Sequence, residues 1–348
     1  MRPQASSEPA DLAVIVVSTN EANWLEPCLR TVFEHAGPIT LDVIVVDNAS
    51  CDGTRELVES RFPQARVVAS ENRGFSHANN RAAMATDARH VLLLNPDTEI
   101  VEGTLAGLLA ELERRPRVGF VGVRQLTSDG TLWPTIRYFP SPTRALCEAL
   151  GSERWPVRRR WMGERELDTA RYDQEVDCDW STGAFMLVRR EALLGAGLLD
   201  ERFFMYSDEP DLCLRLKRAG WQVRHLPCLT IIHHANKGGV RPRMVAQDAY
   251  TRLLYARKHF GPARRGAYVG AVALRHAMRA ALARGPDAPA RRAASARALR
   301  TLAGTVDPPF GAPPHASVAP ARSGPRPAPS PAGVAPTARA AGAERARS

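Results

Sequence analysis

Between residues 12 and 94 the sequence alternates short apolar runs with segments of helical spacing, a pattern that few folds accept. Leu12-Ala13-Val14-Ile15-Val16-Val17 is unbroken apolar, as a parallel strand covered on both faces requires. Asn20 to Glu34 follows with Trp24, Leu25, Cys28, Leu29, Val32 and Phe33 at helical spacing. A second strand over 41–46 runs into Asp47, and Pro63 ends the helix predicted over 52–61. A short strand over 66–69, a helix over 76–86 and a strand over 90–94 complete the unit, which stops at Asn95-Pro96-Asp97. Such a βαβαβαβ order implies a parallel sheet with right-handed crossovers.

The pattern then changes. Helices are predicted over 103–114, 191–196, 208–219, 243–260 and 268–284, and strands over 118–123, 180–188, 221–226 and 230–233. Gly220 marks the end of the third of these helices. The stretch 154–171 is rich in Arg and Trp without a clear period. Beyond about residue 304 the chain is Pro-, Ala-, Gly- and Arg-rich, a composition that predicts disorder. The expected organisation is a disordered N-terminus (1–11), two halves of one α/β domain (12–123 and 124–263), a basic helical extension (264–303) and a disordered tail (304–348).

Apolar residues make up 44% of the 348, enough for a large core. The six cysteines are scattered without a CxxC pair, which argues against a zinc or redox motif. Residues 1–11 have no apolar signal region, and no run approaches the ~18 apolar residues of a membrane span, so a cytoplasmic location is expected. From Arg264 onward fourteen arginines stand against three acids, a charge of +11. The whole chain carries +10, so residues 1–263 carry −1. A nearly neutral folded part is a poor footprint for nucleic acid, whereas a basic extension suits peripheral contact with an anionic membrane face.

Ligands of an open parallel sheet bind beyond the carboxyl ends of its strands. Three polar clusters fall there: Ser18-Thr19-Asn20-Glu21, Asp47-Asn48-Ala49-Ser50 and Asn95-Pro96-Asp97. Each on its own suits helix capping; the three together favour a nucleotide site. The loop after the first strand has no glycine, which excludes a dinucleotide-type GxGxxG, and there is no P-loop. A diphosphate there calls for a carboxylate-bound divalent ion, Mn²⁺ or Mg²⁺, with Asp97 as the carboxylate. His233 and His234 follow an apolar pair, and strand alternation aims them at opposite faces. One of them is expected at the metal or phosphate.

The segments VIVVSTN, DVIVVDNASCDGT, ENRGFSHANNRA, HVLLLNPDTEI, DWSTGAFMLVRREA, DERFFMYSDEPDLCLRLKRAGW and IIHHANKGG resemble, in order, those of family 2 glycosyltransferases, closest to a bacterial rhamnosyltransferase-like branch. The resemblance implies a GT-A fold: a mostly parallel central sheet with helices on both faces. It implies an inverting transfer from a nucleotide-diphosphate sugar to a glycan or lipid-linked glycan. By the same resemblance Asp47 holds the base, and Ser18, Asn20, Glu21, Asn72, Gly74 and Asn79 line the nucleotide. Asp97 is the last aspartate of a metal-binding DxD in which Asn95 replaces the first, and His233, or His234 beside it, completes the metal or diphosphate site.

Inverting transfer needs a base that takes the proton of the acceptor hydroxyl. Asp208-Glu209-Pro210-Asp211 opens a helix, where carboxylates also serve the cap and the dipole. The family's Glu-Asp-x-Asp motif places the base at the second carboxylate, Glu209. The order here is reversed, so Asp208 stays a competitor. Trp180, Thr182 and Gly183 are expected to line the acceptor and the donor sugar. The rival readings are a nucleotidylyltransferase, which lacks its basic glycine-rich loop here, and a non-catalytic sugar-nucleotide binder, suggested by the missing DxD carboxylate.

Overall fold

The computed structural model describes residues 8–157, 159–235 and 239–313. The first unit follows the predicted order: β1 (Leu12–Ser18), α1 (Ala22–Glu34), β2 (Leu41–Asn48), α2 (Thr54–Arg61), β3 (Arg66–Ser70), α3 (Phe75–Met84) and β4 (His90–Leu94). Every residue of β1 is buried, which is why that run carries no polar alternation. The four strands pair in parallel in the order β3-β2-β1-β4.

Then come β5 (Thr98–Glu102), α4 (Leu105–Glu113), β6 (Val118–Leu126), β7 (Ile136–Arg137) and α5 (Pro142–Ala149). Thr104 caps α4 by accepting from Gly107 N–H, and Ser141 caps α5 by accepting from Arg144 N–H, with Pro142 in its first turn. Further on are β8 (Val176–Asp177), β9 (Trp180–Ser181), β10 (Phe185–Arg189), α6 (Arg190–Gly195), α7 (Asp208–Arg218) and β11 (Gln222–His233). Three helices finish the described chain: α8 (Pro242–His259), α9 (Pro262–Ala281) and α10 (Ala288–Leu302).

The main sheet extends past β4 as β10-β6-β11-β5. β10 is antiparallel to both β4 and β6, β11 is parallel to β6, and β5 is antiparallel to β11. The fold is thus an α/β sheet whose first half is wholly parallel and whose second half is mixed, with one apolar cluster on each face. A third cluster joins α5, α8 and α9.

The structure differs from the sequence expectations at several points. The strand predicted over 180–188 is two, because residues 182–184 turn between β9 and β10. The strands predicted over 221–226 and 230–233 are one, β11, with register shifts inside it. β5, α5 and α10 had no separate signal. The predicted disordered tail overlaps residues 304–313, where Arg243 donates to the Pro309 carbonyl at 2.7 Å and Phe310 stacks on Phe204 at 4.2 Å. Residues 1–7 of the predicted disordered N-terminus and 314–348 of the tail lie outside the described residues, as does part of the IIHHANKGG segment (236–238).

Leu92 sits opposite Val14 on β1 and Leu187 on β10, with no exposure. Leu92→Ala is expected to lower unfolding stability by about 2–5 kcal/mol in a urea titration, the cost of a cavity that two flanking strands cannot close.

Candidate functional site

The carboxyl ends of β1, β2 and β4 bring the three polar clusters to one side of the sheet. Asn20, at φ 56°, accepts from Cys51 N–H at 2.8 Å through its side chain, and its own N–H donates to Ser50 Oγ at 3.1 Å. Asp47 accepts from Ser50 N–H at 2.9 Å. The loops after β1 and β2 are thereby locked together. Glu21 stands at the N-cap of α1 without a side-chain capping bond. Asn48 donates to Asn72 Oδ1 at 3.0 Å, and Gly74 N–H donates to the same oxygen at 3.3 Å. Asn79 donates to the Phe75 carbonyl at 2.9 Å. Gly74 has φ 103°, and a Cβ there would lie 2.5 Å from the Phe204 carbonyl, so only glycine fits.

Asp97 and His233 meet: Asp97 Oδ1 and His233 Nε2 are 3.3 Å apart. Pairing of Thr98 with His233 across β5 and β11 produces this contact. His234 faces elsewhere, as alternation requires. Its Nε2 lies 2.7 Å from Glu99, its Nδ1 lies 2.8 Å from Ser128 Oγ, and its ring packs 4.8 Å from Trp24. Only its backbone N–H reaches Asp97, at the carbonyl, 2.9 Å away.

An oxygen and an imidazole nitrogen converging in this way suit Mn²⁺ better than Mg²⁺. Among the described residues no group of three or more His, Cys, Asp or Glu side chains is arranged to hold a metal. Asp97 and His233 therefore fit a partial coordination shell that phosphate oxygens would complete. Buried polar atoms without a protein partner occur throughout the described residues, and Ser18 Oγ, Asn48 Oδ1, Asn79 Oδ1, Thr182 Oγ1, His233 Nδ1 and Asp208 Oδ2 are among them.

The second half joins the first through backbone. Asn95 N–H donates to the Ala184 carbonyl at 3.0 Å, and Gly183 N–H donates to Glu209 Oε1 at 3.0 Å. Gly183 is glycine for a spatial reason, since a Cβ would lie 2.8 Å from Glu209 Oε1. α7 is entered through Tyr206 and Ser207, both left-handed at φ 71° and 63°. Non-glycine residues held that way cost about 1–3 kcal/mol each, and here they turn the start of α7 toward the strand ends.

Within that first turn the acids differ. Asp211 is clamped by His259, Lys258 and Arg215 at 2.8, 2.6 and 2.8 Å. Burial pulls its pKa upward, but these partners outweigh burial and hold it below the usual range. It ties α7 to α8. Asp208, 2% exposed, is driven well up by burial and then by the charge of Glu209. Burial also raises Glu209, against the opposing pull of Gly183 N–H and Arg137. Trp180 is fixed by its indole N–H to the Tyr138 carbonyl at 3.0 Å.

Sequence reasoning passed over Arg137. It sits on β7, pairs with Trp180 on β9 and lies 5.7 Å from the Trp180 ring. Burial holds its pKa down to about 10. An arginine in an irregular stretch has no periodic signal; only the β7–β9 pairing reveals it.

A family model described as "Glycosyl transferase family 2" matches residues 13–193. The N-acetylglucosaminyl-diphospho-decaprenol L-rhamnosyltransferase of Mycobacterium tuberculosis is 32% identical over 265 residues, covering 72% of this chain and 85% of the relative. The rhamnosyltransferase WbbL of Escherichia coli is 24% identical, over 64% of this chain and 83% of its own length. Among solved structures, a mannosyltransferase from Pyrobaculum calidifontis in complex with GDP-Man and Mn²⁺ superposes with a TM-score of 0.53 at 18% identity, over 86% of this chain and 89% of that one.

Asp208 yields a pH prediction. Its folded pKa is raised, so the unfolded state releases this proton first and stability falls as pH rises from 3.8 toward the folded value. Asp208→Asn removes that penalty. Its melting temperature is expected to exceed that of the parent at pH ~8 and to lose the advantage below pH ~4; an advantage independent of pH would contradict the assignment.

Proposed function

Because the chain belongs to glycosyl transferase family 2, we propose that it moves a sugar from a nucleotide-diphosphate donor to a hydroxyl of a glycan or lipid-linked glycan in surface-polysaccharide synthesis. The observation that carries the reading is the convergence of Asp97 and His233 beside the Asn95–Ala184–Gly183–Glu209 chain of contacts. It supports a reading in which Asp97 and His233 face the diphosphate and Glu209, whose pKa burial raises, faces the acceptor. Both named relatives are rhamnosyltransferases, and one is named for a lipid-diphosphate acceptor. L-Rhamnose on a nucleoside diphosphate and a lipid-linked acceptor are therefore the preferred substrates.

In this reading Ser18, Asn20, Glu21, Asp47, Asn72, Gly74 and Asn79 cradle the nucleotide, and Asn95 borders the diphosphate. Asp97 and His233 would hold Mn²⁺ or Mg²⁺, and a bound ion there offsets the charge growing on the departing diphosphate. His234 has a supporting role, positioning Glu99 and Ser128. Glu209 takes the proton of the acceptor hydroxyl as that oxygen attacks the anomeric carbon opposite the leaving group, which inverts the centre. Burial raises its pKa, which makes it a stronger base than an ordinary carboxylate. Asp208 stays protonated and keeps Glu209 oriented, and Trp180, Thr182 and Gly183 shape the sugar pocket. No helix among the described residues is long and apolar enough to cross a membrane. The reading is of an enzyme that works from the cytoplasmic face and meets a lipid-linked acceptor there.

The test is a panel of sugar nucleotides assayed with Mn²⁺ and a lipid-linked acceptor. Nucleotide release from dTDP-rhamnose in preference to UDP- and GDP-sugars is expected. Glu209→Gln should lower kcat by about 100-fold or more while leaving donor binding within a few-fold. Release from none of the donors would favour a non-catalytic binder. A comparable loss in Asp208→Asn with Glu209→Gln unaffected would move the base by one residue.

A further inference from the structure

The loop that follows α5, together with α9, α10 and the start of α8, encloses an open cavity of about 490 Å³ that shares no residue with the site above. Four arginines and two glutamates line it, so it is cationic on balance. The glutamates are already engaged: Glu148 with Arg275 at 3.2 Å, and Glu153 with Arg165 at 3.6 Å. The guanidinium groups of Arg154 and Arg279 have no ion-pair or hydrogen-bond partner among the described residues. Arg279 is open to solvent at its surface, yet the protein packed around it and, secondarily, the charge of Arg275 pull its guanidinium down to about 10. Asp248 and Glu153 pull the other way without pairing with it, and a bound anion would relieve what crowding remains.

The surroundings of the cavity are apolar where they should not be in water. Among the described residues eleven large hydrophobic side chains are exposed, and seven belong to this region: Leu146, Leu150, Trp155, Val157 and Trp161 from α5 and its loop, and Leu274 of α9 and Leu282 at its C-cap. α5 and α9 pack on each other, and Leu282 lines the cavity itself together with Met278. Exposed Leu and Trp beside unpaired Arg is the composition of a surface that lies in a bilayer interface, with apolar groups among the acyl chains and guanidinium groups at the phosphates.

We propose that this cavity and its rim form a membrane-seating site in which Arg154 and Arg279 grip the phosphate of an anionic lipid while Trp155, Leu150 and Leu282 enter the interface. The basic region that touches the membrane is then the folded α5–α9 face. It goes beyond the transferase reading and does not depend on it, since vesicle binding is measured without donor or acceptor.

The experiment is vesicle flotation of the full chain. One set of vesicles is phosphatidylcholine alone, and the other is phosphatidylcholine doped with phosphatidylglycerol. Binding is expected only to the doped vesicles, and Arg154→Gln/Arg279→Gln should weaken it by about tenfold. Trp155→Ser/Leu282→Ser should weaken it comparably. Both variants should keep the parent melting temperature and nucleotide release, since neither pair touches the transfer site. The proposal is overturned if the parent ignores phosphatidylglycerol, or if the arginine variant floats as well as the parent. It is also overturned if inorganic pyrophosphate raises the melting temperature through the same arginines while vesicles do not bind, because the site then takes a free phosphate. A loss of flotation on replacing Arg322, Arg326, Arg339, Arg345 and Arg347 by Gln, with the Arg154/Arg279 variant unaffected, assigns the contact to the tail instead.

Discussion

The antiparallel pairing of β10 with β4, ending in the hydrogen bond from Asn95 N–H to the Ala184 carbonyl, is the joint on which the site depends. On one side of that bond the chain runs on through Pro96 to Asp97. On the other it runs back through Gly183 to Glu209. The Asn95 carbonyl is fixed as well, by Thr98 Oγ1 at 2.8 Å and by the Cys28 thiol at 3.6 Å. Asp97 and Glu209, 112 residues apart in sequence, are thereby tied to one junction between strand end and helix start. Loops alone would hold such a geometry poorly, and reacting groups displaced by an ångström lose much of their rate advantage.

Charge is distributed to match. The nucleotide end of the site has no glycine-rich phosphate loop, so donor charge is met by a bound ion in the proposed scheme and by backbone and amide groups around it. The acceptor end holds two acids whose burial raises their pKa values in different degree, with Asp208 the more confined. Asp211, three residues on from Asp208, is held ionised by its cationic partners and anchors the helix. One short acidic run thus holds two carboxyls with raised pKa values and one with a lowered pKa that anchors the helix, and the difference lies in what each side chain packs against.

The first four strands and their helices were legible because each is a local pattern: an apolar run, a helical stripe, a proline stop. The strand-end clusters were legible for the same reason. β5 was not. Its five residues carry weak alternation, and its partner β11 lies far along the chain, so pairing rather than propensity makes it a strand. The direction of β10 and the break at residues 182–184 depend likewise on the approach of Asn95 and Glu209. Alternation did foretell that His233 and His234 diverge, but which one meets Asp97 follows from the β5–β11 register. Arg137 was invisible because nothing local distinguishes it from the other arginines of an irregular stretch. The family resemblance supplied the roles, and packing supplied the neighbours through which those roles would be exercised.

The central claim is that Asp97 and His233 form half of a metal site whose other half comes with the donor. Titrating Mn²⁺ into the protein, followed by the loss of the free-ion electron paramagnetic resonance signal, tests it directly. Weak binding is expected without nucleotide, at least about tenfold tighter binding with a nucleoside diphosphate present, and loss of that enhancement in Asp97→Ala. Tight Mn²⁺ binding without nucleotide, or an enhancement that survives Asp97→Ala, would contradict the account.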